Sequence, residues 1–224
     1  MNLLSNILIE PNVLTQEAIQ ELLDHAKKST TTDLSVFDPD KTNETGETSW
    51  IVDKDIRDTQ IIEFGDLFPK IEDLFKNIVR HIINPFYGIE VSDSEVPQFL
   101  KYNVGGHYKP HIDGRSIWIA PNGDKIWRKS TDRDLSILIL LNEGNGKDFS
   151  GGNFMFPDLG IEIPPKPGTL VVFPSDQNYL HGVSPVTEIY NEVGRLSIVS
   201  WARVKGQKTK EQEDQELLER YGVC

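Results

Sequence analysis

The sequence predicts an α+β fold: a β-sandwich or barrel with helices laid over one outer face. Three observations carry this. Apolar residues recur at helical spacing in two stretches, both before residue 91. After Ser92 the texture changes to short apolar or alternating runs set apart by Gly, Pro and Asn. No helical pattern interrupts those runs, as expected for packed or closed sheets.

Leu14-Thr15-Gln16-Glu17 opens the first helix, with Thr15 placed to cap it and Leu14 to staple onto Ile19. Ala18, Ile19, Leu22, Leu23 and Ala26 form its apolar face. Residues 29–48, rich in Thr and Asp, read as a loop or mobile surface segment. A second helix begins near Asp66, with Pro69 in its first turn where the missing N–H costs little. Its apolar face runs through Leu67, Ile71, Leu74, Phe75, Ile78 and Ile82. The runs 98–102, 135–141, 168–173 and 196–202 read as strands. Segments 116–120 and 125–129 flank Pro121-Asn122-Gly123-Asp124 and read as a hairpin. A two-residue Asn-Gly turn would set Trp118 opposite Trp127. The hairpin is either a wall or lid over a site at Asp113, or an ordinary self-stabilised hairpin. The segment 207–221, dense in Lys, Glu and Gln, reads as a short surface helix or a frayed tail.

The chain has 224 residues, 38% of them hydrophobic, enough for a real core. Its 23 basic and 35 acidic residues give a net charge of −12, which disfavours general binding to nucleic acid. Cys224 is the single cysteine, expected as a free terminal thiol, so no internal disulfide forms. No basic, apolar leader and no run long enough to span a membrane is evident. The expectation is a soluble, cytoplasmic protein whose oligomeric state the sequence leaves open.

The chemistry concentrates in His111-Ile112-Asp113 and His181. On a strand, residues i and i+2 face the same way, so His111 and Asp113 can reach one point. His181, 70 residues later, can complete the set. Two imidazoles and a carboxylate on one face of an octahedron leave three positions open, the arrangement of non-haem iron(II) oxygenases. By themselves these three residues also suit zinc, and His181 also reads as a core or loop histidine. Arg195 and Ser197 face away from Leu196 and Ile198 if that segment is a strand. An inward arginine requires an anion: a bound carboxylate, or an Asp or Glu of the protein itself. An outward Arg195 is the remaining alternative.

The stretches YNVGGHYKPHID (102–113), RDLSILILLN (133–142), GGNFMFP (151–157), PKPGTLVVFP (165–174), HGVSPV (181–186) and GRLSIVSW (194–201) decide between these readings. In order and spacing, over roughly residues 99–203, the chain resembles the iron(II)- and 2-oxoglutarate-dependent dioxygenases of the prolyl 4-hydroxylase-like branch. The resemblance implies a double-stranded β-helix, or jelly-roll, core at about 92–204. Helical support at 1–91 and a charged C-terminal tail at 205–224 complete one domain. It implies Fe(II) held by His111, Asp113 and His181, with 2-oxoglutarate and O2 as co-substrates and ascorbate in a supporting role. Arg195 matches the residue that pairs with the far carboxylate of 2-oxoglutarate, and Ser197 its hydroxyl neighbour. Tyr102 and Ser136 match co-substrate pocket positions, and Trp201 the aromatic residue closing the last core strand. Tyr108 is a further pocket candidate, whereas His107, His25 and His81 read as structural or exposed.

The implied substrate is a prolyl residue of a peptide or protein, lying between the 114–130 hairpin and the 187–194 loop. The alternatives are another amino-acid side chain, a free amino acid or a small metabolite. A noncatalytic metal-binding interaction module is the reading from a different class. Two features depart from the pattern: Leu140 stands where some relatives carry tyrosine, and residues 188–191 add length before Arg195.

Overall fold

The computed structural model describes residues 3–42 and 48–222, and side chains within 4–36 and 51–222. Cys224 lies outside the described residues. Two antiparallel sheets form the core. The larger runs, in spatial order, Leu8–Glu10, Thr169–Pro174, Leu135–Leu140, Arg195–Val204, Gln98–Tyr102, Gln60–Ile62 and Thr31–Asp33. Val91–Ser94 also pairs with Arg195–Val204. The smaller sheet runs Ile161–Ile163, Phe154–Phe156, His181–Val183, His107–His111 and Arg57–Asp58. This is the jelly-roll architecture expected of the sequence.

Alternation along the central strands builds two cores. Ile137, Ile139, Leu170, Val172, Leu196 and Ile198 face outward and pack with Ile19, Leu22, Ile71, Phe75 and Ile78 of the two helices. Leu138, Leu140, Val171 and Phe173 face inward against Phe154, Phe156 and Val183 of the smaller sheet. These two strands bury both faces, which is why 135–140 and 169–173 read as near-continuous apolar runs. The first helix is Gln16–Lys28, and Thr15 caps it by accepting a hydrogen bond from the Ala18 amide at 3.2 Å. The second, Phe68–Ile78, carries its proline at the first turn.

The structure amends three expectations and selects one of two readings for the C-terminal segment. Residues 1–91 supply strands as well as helices: Thr31–Asp33 and Gln60–Ile62 extend the larger sheet, and Arg57–Asp58 extends the smaller. The 29–48 segment is therefore not simply a loop. Thr31–Asp33 pairs along one side with Gln60–Ile62, and an edge strand tolerates polar side chains because they remain in water. Val36–Thr42 pairs with Thr48–Ile51 in a separate hairpin.

The 115–129 hairpin is shifted by one residue from the two-residue-loop register: Ile117 faces Trp127, and Trp118 faces Ile126. A two-residue loop would need an N–H from residue 121, and proline has none. Instead Ala120 donates to the Asp124 carbonyl, Gly123 donates to the Ala120 carbonyl, and Gly123 takes φ +88°. This is a three-residue loop.

The C-terminal segment is a helix, Lys210–Tyr221, started by a reciprocal Thr209/Gln212 capping box. It docks on the hairpin. Glu213 accepts from Arg115 at 2.8 and 3.2 Å and from the Lys129 amide at 2.9 Å. Asp214 pairs with Arg128, and Trp118 meets Tyr221 edge to face.

Candidate active site

The strands His107–His111 and His181–Val183 are neighbours in the smaller sheet, and His181 is paired directly with His111. Their ring centres lie 4.4 Å apart. The first strand ends at His111, so Asp113 sits in the bend beyond it and not on the same strand face. That bend still brings the carboxylate to the rings: Oδ1 is 3.5 Å from His111 Nε2 and Oδ2 is 3.2 Å from His181 Nε2. One donor atom from each residue lies within 4.8 Å of the others, a grouping able to hold a metal ion.

Each imidazole is oriented from behind. Nδ1 of His111 donates to the Lys109 carbonyl at 2.9 Å, and Nδ1 of His181 donates to the Tyr179 carbonyl at 2.9 Å. Such bonds fix the tautomer with the Nε2 lone pair aimed at the centre, as in metal-binding histidines. Burial, and next the neighbouring His181, hold His111 below its ordinary value, favouring the neutral ring that a metal requires. Burial pushes the Asp113 carboxyl up, but the two imidazoles beside it, His181 foremost, outweigh burial and hold the group well below 3.8. The site is thus a carboxylate between two imidazoles, the donor set of a non-haem iron(II) centre.

Arg195 opens the longest strand of the larger sheet and is fully buried. Its Nε donates to the Gly152 carbonyl at 2.7 Å and its Nη1 donates to Ser197 Oγ at 3.2 Å. The guanidinium lies 4.6 Å from the ring centre of Tyr102, the residue paired with it on the next strand. Burial pulls its pKa down. Nη2 is buried and finds no protein acceptor, and no carboxylate pairs with Arg195 among the described residues. Both the internal ion pair and the outward arginine are thereby ruled out for the described residues. A buried cation with a spare donor suits an entering carboxylate. The residues therefore fit both groups that the sequence implies, a metal ion and a dicarboxylate.

Ser136 lies at the metal cluster itself. Its hydroxyl bonds Asp113 Oδ2 at 2.7 Å and Ser175 Oγ at 2.8 Å. Tyr108 stacks on His111 with centres 3.7 Å apart, beneath the Arg57 guanidinium at 4.6 Å. Trp201, paired with Ser136, lies under the Arg133 guanidinium at 3.6 Å, and Arg133 is held by both carboxylate oxygens of Glu95. His107 is occupied by the Gly105 and Asp55 carbonyls, as a structural histidine should be.

Several residues escaped sequence reasoning. Asn142 brackets Arg195: its Nδ2 donates to the Gly194 carbonyl at 2.6 Å and its Oδ1 accepts from the Leu196 amide at 2.9 Å. A polar residue ending the apolar 135–141 run was the available signal. Gly152, at φ +64°, leaves no room for a side chain, since a Cβ would lie 2.8 Å from Arg195 Cδ. Arg57, Arg133 and Ser175 carry no sequence signal of their own.

Residues 97–203 match the model of the 2OG-Fe(II) oxygenase superfamily, and they contain every residue of both clusters. The likeness to this superfamily runs over 107 of the 224 residues, just under half of the chain. The chain is 29% identical over 143 residues to an Acanthamoeba polyphaga mimivirus protein provisionally named a prolyl 4-hydroxylase, covering 60% of this chain and 55% of that one. It is 33% identical over 112 residues to the prolyl 4-hydroxylase alpha-1 subunit of Gallus gallus, covering 46% and 20%. It is also 32% identical over 126 residues to a PKHD-type hydroxylase of Aliarcobacter butzleri, covering 55% and 46%. The chain thus spans little more than half of these relatives at most. The fold matches a Trichoplax adhaerens prolyl hydroxylase solved with a hypoxia inducible factor peptide, at TM-score 0.58, 18% identity, and 95% and 87% coverage. It also matches a Pseudomonas putida prolyl-4-hydroxylase at TM-score 0.53, 22% identity, and 90% and 94% coverage.

Proposed function

We propose that this chain hydroxylates a prolyl residue of a peptide or protein, consuming 2-oxoglutarate and O2 and releasing succinate and CO2. The observation that carries this reading is Arg195, a buried cation with an unpartnered Nη2, on the same jelly roll as a His-Asp-His cluster. His111, Asp113 and His181 would hold Fe(II), which supplies the oxygen activation and the oxidising power for attack on a C–H bond. Arg195 grips the far carboxylate of 2-oxoglutarate, helped by Ser197. Tyr102 stacks beneath the guanidinium and shapes the pocket wall. Tyr108 packs on the outer side of His111 and limits water there. Trp201 and Arg133 form the neighbouring wall.

The hydroxylase relatives support a polypeptide substrate. We place the peptide between the hairpin that starts two residues after Asp113 and the turn that precedes Arg195, with residues 1–224 acting as one catalytic unit. No helix among the described residues is long and apolar enough to cross a membrane. The single cysteine fits a reducing compartment, and we assign the activity to the cytoplasm.

The test loads the purified protein anaerobically with Fe(II), then adds O2 and 2-oxoglutarate with proline-containing peptides. The expected result is succinate formation and a peptide gaining the mass of one oxygen atom at proline. Products from other side chains, and never from proline, would overturn the prolyl assignment.

A further inference from the structure

We propose that Ser175 and Ser136 form a hydroxyl relay that orients the Asp113 carboxylate for metal binding, so that both serines are positioning residues. The proposal rests on the oxygenase reading above.

Asp113 needs such a device. It lies in a bend beyond the end of its strand, so no sheet ladder fixes it, and the terminal torsion of an aspartate is soft. A carboxylate that binds a metal is deprotonated and can only accept hydrogen bonds. Ser136 must therefore donate to Asp113 Oδ2 across 2.7 Å, which uses its one hydrogen. It follows that Ser175 donates to Ser136 across 2.8 Å. The relay runs in one direction, from Ser175 through Ser136 to Asp113.

Both hydroxyls stand on rigid ground. Ser136 is buried within a central strand, paired with Phe173 on one side and Trp201 on the other. Ser175, also buried, donates its amide to the Asp134 carbonyl at 2.9 Å. Its own carbonyl accepts the Gly114 amide at 2.9 Å, so Ser175 grips the bend through its backbone as well. The fit is tight: a Cβ on residue 114 would lie 2.7 Å from that carbonyl oxygen. Thr131 adds a hydrogen bond to the Asp113 carbonyl at 3.1 Å.

The test is Mn(II) binding to the metal-free protein without 2-oxoglutarate or O2, followed by the electron paramagnetic resonance signal of free Mn(II). Loss of an outer partner of a metal ligand typically weakens affinity by about 10–100-fold. Ser136→Ala should fall in that range, and Ser136→Thr, which restores a hydroxyl, should bind close to wild type. Ser175→Ala should weaken binding less. The double variant should be no weaker than Ser136→Ala alone, because Ser175 acts through Ser136. Unchanged affinity in Ser136→Ala, with wild type binding normally, would overturn the relay and leave the oxygenase reading standing. Failure of the wild-type protein to bind Mn(II) would overturn both.

Discussion

Arg195 and Tyr102 face each other across adjacent strands, with the guanidinium 4.6 Å from the ring centre. The ring covers one face of the cation, Gly152 and Ser197 engage Nε and Nη1, and Nη2 is the guanidinium nitrogen left without a partner. Removing the cation should therefore act on the co-substrate. Truncating one partner of a buried, hydrogen-bonded charge pair costs about 2–5 kcal/mol. Arg195→Ala should weaken 2-oxoglutarate binding by about 30-fold or more, with Mn(II) affinity retained. Arg195→Lys should recover only part of the loss, since a point charge lacks the planar fork. Calorimetric titration of the Mn(II)-loaded protein with 2-oxoglutarate reads both.

Gly152→Ala should produce a related defect without touching any charge. Its φ of +64° disfavours a side chain, and the added Cβ would press on Arg195 Cδ. The expected outcome is a raised KM for 2-oxoglutarate together with a lowered Tm, read in the same preparation.

Metal removal should lower stability in a way that depends on the three donors. A ligand at 100 times its Kd adds about 2.7 kcal/mol to the folded state. Mn(II) should raise the Tm of the chelator-treated wild type, and Asp113→Ala, His111→Ala and His181→Ala should each lose that rise. A full metal-dependent rise in Asp113→Ala would place the ion elsewhere.

The pH dependence of the metal-free protein has a definite sign. Folding depresses His111 below 6.5, so below that value the unfolded chain binds more protons and acid favours unfolding. The depressed Asp113 acts in the same direction further down: its stabilisation is present above 3.8 and is lost as pH falls through its lower folded value. Stability should decline on acidification from about pH 7, each group contributing at most about 1.4 kcal/mol per pH unit. His111→Gln should flatten the upper part of that decline in urea unfolding curves taken across the pH range.

The C-terminal helix should matter to the hairpin more than to the iron site. Glu213 is the shared acceptor for Arg115 and the Lys129 amide, and its side chain is only 16% exposed. Glu213→Ala should destabilise the fold by about 1.5–3 kcal/mol, the usual range for hydrogen bonds to charged groups. If the hairpin walls the peptide channel, the same change raises KM for the peptide and leaves KM for 2-oxoglutarate unchanged.

Local pattern made much of this protein legible in the sequence. Two-residue alternation put Arg195 and Ser197 opposite Leu196 and Ile198, and helical spacing located both N-terminal helices. His111, Asp113 and His181 were only candidates by themselves; they could be named as ligands because the motifs around them, from 102–113 to 194–201, resemble a known family. What local pattern could not supply was the partner of each polar group. The engagement of Ser136 with Asp113, the clasp of Asn142 around Arg195 and the cradle at Gly152 join residues between 23 and 54 positions apart. The hairpin register turned on one missing N–H at Pro121, and the C-terminal helix found its place through Arg115 and Arg128. Periodicity reports which face of an element is apolar. The pairing of buried polar atoms is settled only when strands distant in sequence are brought side by side, because each such atom must find its partner there or lose its hydration without compensation.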